Sequence, residues 1–248
     1  MHAAMKLGRL RSTSKQLALA PRLKDFLKAP LPAPPAEYHG AAGATIGMFG
    51  NDQFGDCTIA GLANYRAIRA KLNGCPPPAS TTDAVVAQYM RLTGGQDTGL
   101  NEIDVLVQAQ KNGMELGGPK WMDAVWASVR YDRSTCKSLI AIFGALYLGV
   151  ELPLAAQDQA VWTPTKGRNG APGGWGGHCL LWSGWNDPDK EGNDNDELVT
   201  WGMVKEASPL WLPRYGDEFH VIVDADSAAV AGVDFEALVD YANEVNDG

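Results

Sequence analysis

Residues 50–74, GNDQFGDCTIAGLANYRAIRAKLNG, read as a loop that turns into a helix. Asp56 is placed to cap that helix and Gly74 to stop it. Ile59, Leu62, Ala63, Ile68 and Leu72 recur at helical spacing, which predicts one buried face. Cys57 then falls in the first turn. There the helix dipole and the free backbone N–H groups favour a thiolate over a thiol. A lone free cysteine is more often inert packing. The Gly-Asp-Cys turn, which puts the sulfur at a helix start, sets Cys57 apart from Cys75, Cys136 and Cys179 as a candidate nucleophile.

Outward from this stretch, DAVVAQYMRLTG (83–94), capped by Thr81 or Thr82, and NEIDVLVQAQKNG (101–113) read as two further helices, and RSTCKSLIAIFG (133–144) as a fourth. ALYLGVELP (145–153), HCLLWSGWND (178–187), ELVTWGMV (197–204) and EFHVIVDAD (218–226) read as strands. PDKEGNDND (188–196) joins two of them as a solvated hairpin loop; its carboxylates lack the spacing and terminal Glu of an EF-hand. Helices first and strands later predict an α+β fold with an antiparallel sheet. The helical part covers about 46–140 and the sheet part about 141–248.

His178 opens an apolar strand after the Gly-rich loop TPTKGRNGAPGGWGG (163–177). A histidine so placed can point into a cleft and take a proton from a thiol. The bland alternative is a satisfied structural histidine. His2 and His39 lie near the N-terminus and His220 lies among apolar residues of a late strand, so His178 is the best candidate base. Of the eight tryptophans, Trp175 sits in the Gly-rich loop, where it can line a groove; core packing is the ordinary role for the others.

Composition excludes several classes. In 248 residues, 45% are hydrophobic and 20% charged, as in ordinary globular proteins. No apolar run reaches transmembrane length, and no signal-peptide core follows the basic N-terminus. The four cysteines form no C-x-x-C pair, which argues against a zinc site or a disulfide framework. There is no phosphate loop, dinucleotide fingerprint or nucleic-acid motif, so no cofactor, metal or nucleic-acid partner is expected.

Residues 1–45 read as an extended arm, Pro- and Ala-rich from Lys28 onward, with compact structure from Ile46 to the C-terminus. Residues 1–28 hold seven basic side chains against Asp25 alone, a net +6; the remainder carries −14. The arm is therefore either a solvated tail or a docking segment for an acidic surface, a partner protein or the body itself.

NDQFGDCTIAG (51–61) resembles the loop-to-helix segment that bears the nucleophile of papain-like cysteine peptidases. GGHCLLWSGWND (176–187) resembles the family's His strand, and ELVTWG (197–202) the strand that carries its Asn-Ser-Trp-Gly motif. RSTCKSLIAIFGALYLGVELP (133–153) resembles the helix and strand between them. The order of the four is the family order, over roughly residues 46–224. The resemblance implies a papain-like fold in a divergent, phage or bacterial branch of the superfamily. It also implies a Cys57–His178 pair acting on peptide or amide bonds.

Two positions depart from the pattern. The family's oxyanion-binding Gln aligns with Asn51, with Gln53 two residues on, so either side chain with the Cys57 N–H would bind the oxyanion. The family's His-orienting Asn aligns with Val199, beside Thr200. Either Thr200 takes over, or another group orients the imidazole, or the site is inactive. The alignment itself places Val199 on the His178 face. Trp201 matches the family Trp that packs over the active-site region.

The expected function is a cysteine hydrolase of peptide or protein substrates. The alternative is an inactive papain-like structural or interaction protein, such as a virion component whose arm docks a neighbouring copy in a homo-oligomer, capsid or tail. Location is accordingly expected to be cytoplasmic or virion.

Overall fold

The computed structural model describes residues 5–121 and 125–247; His2 lies outside them. In chain order the elements are β1 (Arg9–Leu10), α1 (Ser14–Leu19), β2 (Tyr38–His39), α2 (Cys57–Leu72), α3 (Thr82–Leu92), β3 (Leu100–Asn101) and α4 (Glu102–Asn112). They continue with β4 (Val125–Ser128), α5 (Arg133–Phe143), β5 (Leu146–Leu152), β6 (Gly176–Trp185), α6 (Pro188–Glu191) and β7 (Asp196–Thr200). The last are β8 (Met203–Ala207), α7 (Leu212–Tyr215), β9 (Gly216–Val223), α8 (Ala225–Ala231) and α9 (Phe235–Asp247).

Local chemistry sets the helix ends. Thr81, Asn101 and Asp132 accept the N–H of Ala84, Asp104 and Thr135 and so cap α3, α4 and α5. Gly113 and Gly144, both at positive φ, close α4 and α5. Asp56 departs from its expected role: it precedes α2, but its side chain makes no cap.

A seven-stranded antiparallel sheet runs in the order β4-β9-β5-β6-β7-β8, with β2 added on β6. Both faces are covered, because side chains alternate along each strand. Cys179, Leu181 and Val199 pack with Ile59, Leu62 and Ile68 of α2 on one face. Leu180, Trp182 and Leu198 pack with Leu139, Ile140 and Phe143 of α5 on the other. No helix among the described residues is long and apolar enough to cross a membrane.

Two strand segments differ from the sequence reading, residues 188–191 form the short helix α6 inside the expected loop, and the N-terminal segment takes the last of its expected alternatives. Residues 197–204 are two strands rather than one. Trp201 and Gly202, at φ 46° and 69°, make a two-residue turn between β7 and β8, with Thr200 facing Met203. The strand from Gly216 stops at Val223, where Asp224 caps α8, so the C-terminal end is helical. The basic N-terminal segment lies on the body. Leu23 is in the core, Ser128 N–H donates to the Pro21 carbonyl, and the Trp185 indole donates to the Ala36 carbonyl at 3.0 Å.

Candidate active site

The Asn51–Cys57 loop delivers Cys57 to the N-terminus of α2, and α2 is held against the sheet by the Tyr147 hydroxyl, which donates to the Thr58 carbonyl at 2.9 Å. The Cys57 sulfur meets the backbone N–H groups of Cys179 and Gly8. His178, one residue before Cys179, starts the apolar run of β6. Cys57 and His178 are both buried.

The imidazole is held from two sides. Its Nε2 lies 2.7 Å from Thr200 Oγ1. The Trp201 ring stacks on it at 4.3 Å between centroids, 19° from parallel. Nδ1 has no hydrogen-bond partner among the described residues, the Cys57 thiol included. Val199 does not face His178. The register pairs Leu181 with Val199, which puts Val199 on the α2 side and Thr200 on the opposite, His178 side. The alignment-based expectation for Val199 is thereby corrected.

The two oxyanion candidates separate. Asn51 is buried and its amide donates to the Phe54 carbonyl at 3.2 Å, whereas Gln53 is exposed to solvent. Gln53 is thus not brought into the site. Asp56, the residue before Cys57, is fully buried. Burial raises its carboxyl to about 7, against the pull of the Asn51 amide.

Sequence reasoning missed the occupant of the cleft. Residues 6–10 thread between the loop at 97–101 and Gly55 on one side and Gly176, Gly177 and Trp201 on the other. Trp201 donates its indole N–H to the Lys6 carbonyl at 3.2 Å, and Leu100 N–H donates to the Gly8 carbonyl at 3.0 Å. β1 and β3 pair in parallel. Gly8 passes so close to Gly55 that a β-carbon there would meet the Gly55 carbonyl oxygen at 2.0 Å. Gly8 turns its N–H to the sulfur and its carbonyl to Leu100.

This strap dries the site. Burial pushes the Cys57 thiol up to about 12. Burial, with the Arg9 charge adding to it, holds the His178 imidazole down to about 3. The helix-start preference for a thiolate is outweighed here, because desolvation of an ion in a closed site exceeds the dipole's contribution.

Next to Gly8, the Arg9 side chain is fully buried among acids. It lies 3.6 Å from Glu102, 3.2 Å from Glu151 and 2.9 Å from Asp217, and it bonds Glu218. Glu102, Glu218 and His220 stand close enough together to hold a cation; the guanidinium supplies that charge. The sequence signals were weak: Glu102 reads as an ordinary first-turn acid, and Glu218 as one polar residue in an apolar strand.

No protein-family model and no curated protein matches the sequence. Solved structures do match. Xylellain, a cysteine protease from Xylella fastidiosa, is 13% identical with a TM-score of 0.65 over 89% of this chain and 97% of its own. Procathepsin B S9 from Trypanosoma congolense is 11% identical with a TM-score of 0.55, over 90% and 84%. Procathepsin L 3 from the larval midgut of Tenebrio molitor is 11% identical with a TM-score of 0.51, over 92% and 81%. With its order of elements, its antiparallel sheet and these neighbours, the chain has a divergent papain-like fold.

Proposed function

We propose that this chain is a cysteine hydrolase of peptide or amide bonds in which Cys57 is the nucleophile and His178 the base. The observation that carries the reading is the imidazole's two-sided environment. Nε2 is held by Thr200, Trp201 covers the ring, and Nδ1 has no hydrogen-bond partner among the described residues. His178 opens β6, so once the strap leaves the cleft this reading requires its imidazole to reach the thiol around the end of that strand and take the proton through Nδ1. The thiolate attacks the substrate carbonyl, and the negative oxygen is received by the Cys57 N–H and the Asn51 amide. The imidazolium then protonates the leaving nitrogen, and the thioester remains. His178 next deprotonates a water that attacks the thioester, releasing the acid and restoring the thiol. Thr200 fixes the ring orientation, the part an Asn plays in the resemblance.

The inactive reading has one observation in its favour: with the strap seated, both groups are held neutral. A peptide acyloxymethyl ketone separates the two. The hydrolase reading expects covalent labelling of Cys57 and turnover of peptide amides, both lost in Cys57→Ala. Labelling elsewhere, or turnover that survives Cys57→Ala, would reject it.

A further inference from the structure

We infer that the buried acidic pocket beside Cys57 is a substrate subsite for an arginine side chain, and that Arg9 of the strap occupies it in the closed form. The inference rests on the hydrolase reading above for its location at the reacting sulfur, and it names the substrate class of that site.

Four observations converge. Gly8 passes Cys57, so the next residue along a bound chain places its side chain where Arg9 does. That pocket holds Glu102, Glu151, Asp217 and Glu218 around the Arg9 guanidinium, with the exposed Arg11 pairing Asp217 at 2.9 Å from outside. Glu151, Asp217 and Glu218 Oε1 accept from the two terminal nitrogens of the Arg9 guanidinium, while Glu102 lies 3.6 Å from Arg9 Nε without a hydrogen bond among the described residues. Space for it comes from glycine: a β-carbon at Gly149 would stand 2.3–2.6 Å from the Arg9 guanidinium, and one at Gly177 would stand 2.5 Å from the Arg9 carbonyl oxygen.

A planar five-donor cation matches this arrangement; an ammonium, with three donors on a point charge, reaches fewer of the acids. An uncharged side chain of the same length would leave the buried Glu218 without its cationic partner. Selectivity here therefore arises from the desolvated Glu218 carboxylate left unpaired by the wrong substrate. The strap's own sequence supplies a ligand for this subsite.

The test uses full-length Arg9→Ala and Arg9→Gln, which vacate the pocket in different ways. Each is melted alone, with a synthetic peptide of residues 5–13, and with the same peptide carrying citrulline at position 9 and arginine kept at position 11. Each is also assayed on two fluorogenic peptide amides that differ only by arginine or citrulline in the corresponding position. The expected results are a rise in melting temperature with the arginine peptide alone, and kcat/KM at least about tenfold higher for the arginine substrate.

Turnover without discrimination, or equal stabilisation by both peptides, overturns the subsite while leaving the hydrolase reading intact. Stabilisation by the arginine peptide with no turnover of any substrate keeps the subsite and rejects the hydrolase reading. If neither variant shows a cooperative melt, Arg9 is a structural ion-pair member and the subsite assignment is overturned.

Discussion

Thr200 Oγ1 stands 2.7 Å from His178 Nε2, while Val199, one residue earlier, points to the opposite face of the sheet. The relationship follows from two-residue alternation along β7, and it decides which substitution touches the imidazole. Thr200→Val keeps the shape and removes the hydroxyl. It leaves a buried ring nitrogen unpaired, which costs about 1–3 kcal/mol of stability. It also frees the ring to turn. Turnover is expected to fall by about 10–100-fold, less than the ~10⁴ measured for the orienting acid of a serine triad, because thiolate and imidazolium still attract. Val199→Asn is expected to give no gain, only a loss of about 1–3 kcal/mol for a buried amide among apolar residues. Peptide-amide kinetics and thermal melts of both variants check this. A gain of activity in Val199→Asn would reverse the assignment of faces.

Glu102 gives the stability curve a definite slope. Burial raises its carboxyl to about 8, even with Arg9 pulling the other way. In the unfolded chain it ionises near 4.5. Between these values the fold retains a proton that the unfolded chain has released. Stability therefore falls as pH rises, by about 1.4 kcal/mol per unit for this group. Glu102→Gln mimics the protonated acid and lacks the slope. The melting temperature of Glu102→Gln relative to wild type should thus climb between pH 5 and pH 8. A difference that is flat or falls with pH would mean that Glu102 is ionised in the fold.

How far the sequence led can be judged from these same residues. The helical stripe after Cys57 and the apolar run after His178 were legible because each is local and periodic. Thr200 was legible only as one of two choices, since the face of β7 is fixed by the pairing of Leu181 with Val199, a contact between distant residues. The turn at Trp201–Gly202 was hidden inside an apolar strand pattern, although the glycine marked it. The basic charge of the N-terminal segment could be counted, but its address could not. Nothing local connects Arg9 to Glu102, Glu151, Asp217 and Glu218; only the closed fold brings them together.

The strap's closeness to Cys57 depends on residue 8 having no side chain. In Gly8→Val the new β-carbon would meet the Gly55 backbone, with its oxygen at 2.0 Å and its Cα at 2.3 Å. Backbone gives way less readily than a flexible side chain, so the strap lifts. Water then reaches the sulfur and the imidazole, the thiol pKa falls and the imidazole pKa rises. Alkylation of Cys57 by iodoacetamide at pH 7 should accelerate about tenfold or more, with buried Cys136 as internal reference. Unchanged Cys57 labelling would show that something other than the strap shields the thiol.

The hairpin turn that aims Trp201 at His178 can be tested against a matched control. Gly202 has φ 69°, and a β-carbon there would stand 2.8 Å from the Met48 nitrogen. Gly192, at the end of α6, has φ 68°, and a β-carbon there would meet nothing within 4 Å. Alanine at either position carries the same left-handed strain, about 1–2 kcal/mol. Only at 202 does it also press on the loop that leads to Asn51. The turn can relieve that pressure by opening, which would swing Trp201 off the imidazole and release its bond to the Lys6 carbonyl. Gly192→Ala is therefore expected to lower stability by the strain alone and leave turnover unchanged. Gly202→Ala is expected to lose more stability, to lower kcat, and to loosen the strap, read as faster alkylation of Cys57. If the two variants melt alike and turn over alike, the Trp201–Gly202 turn does not hold the imidazole in place, and Thr200 alone orients it.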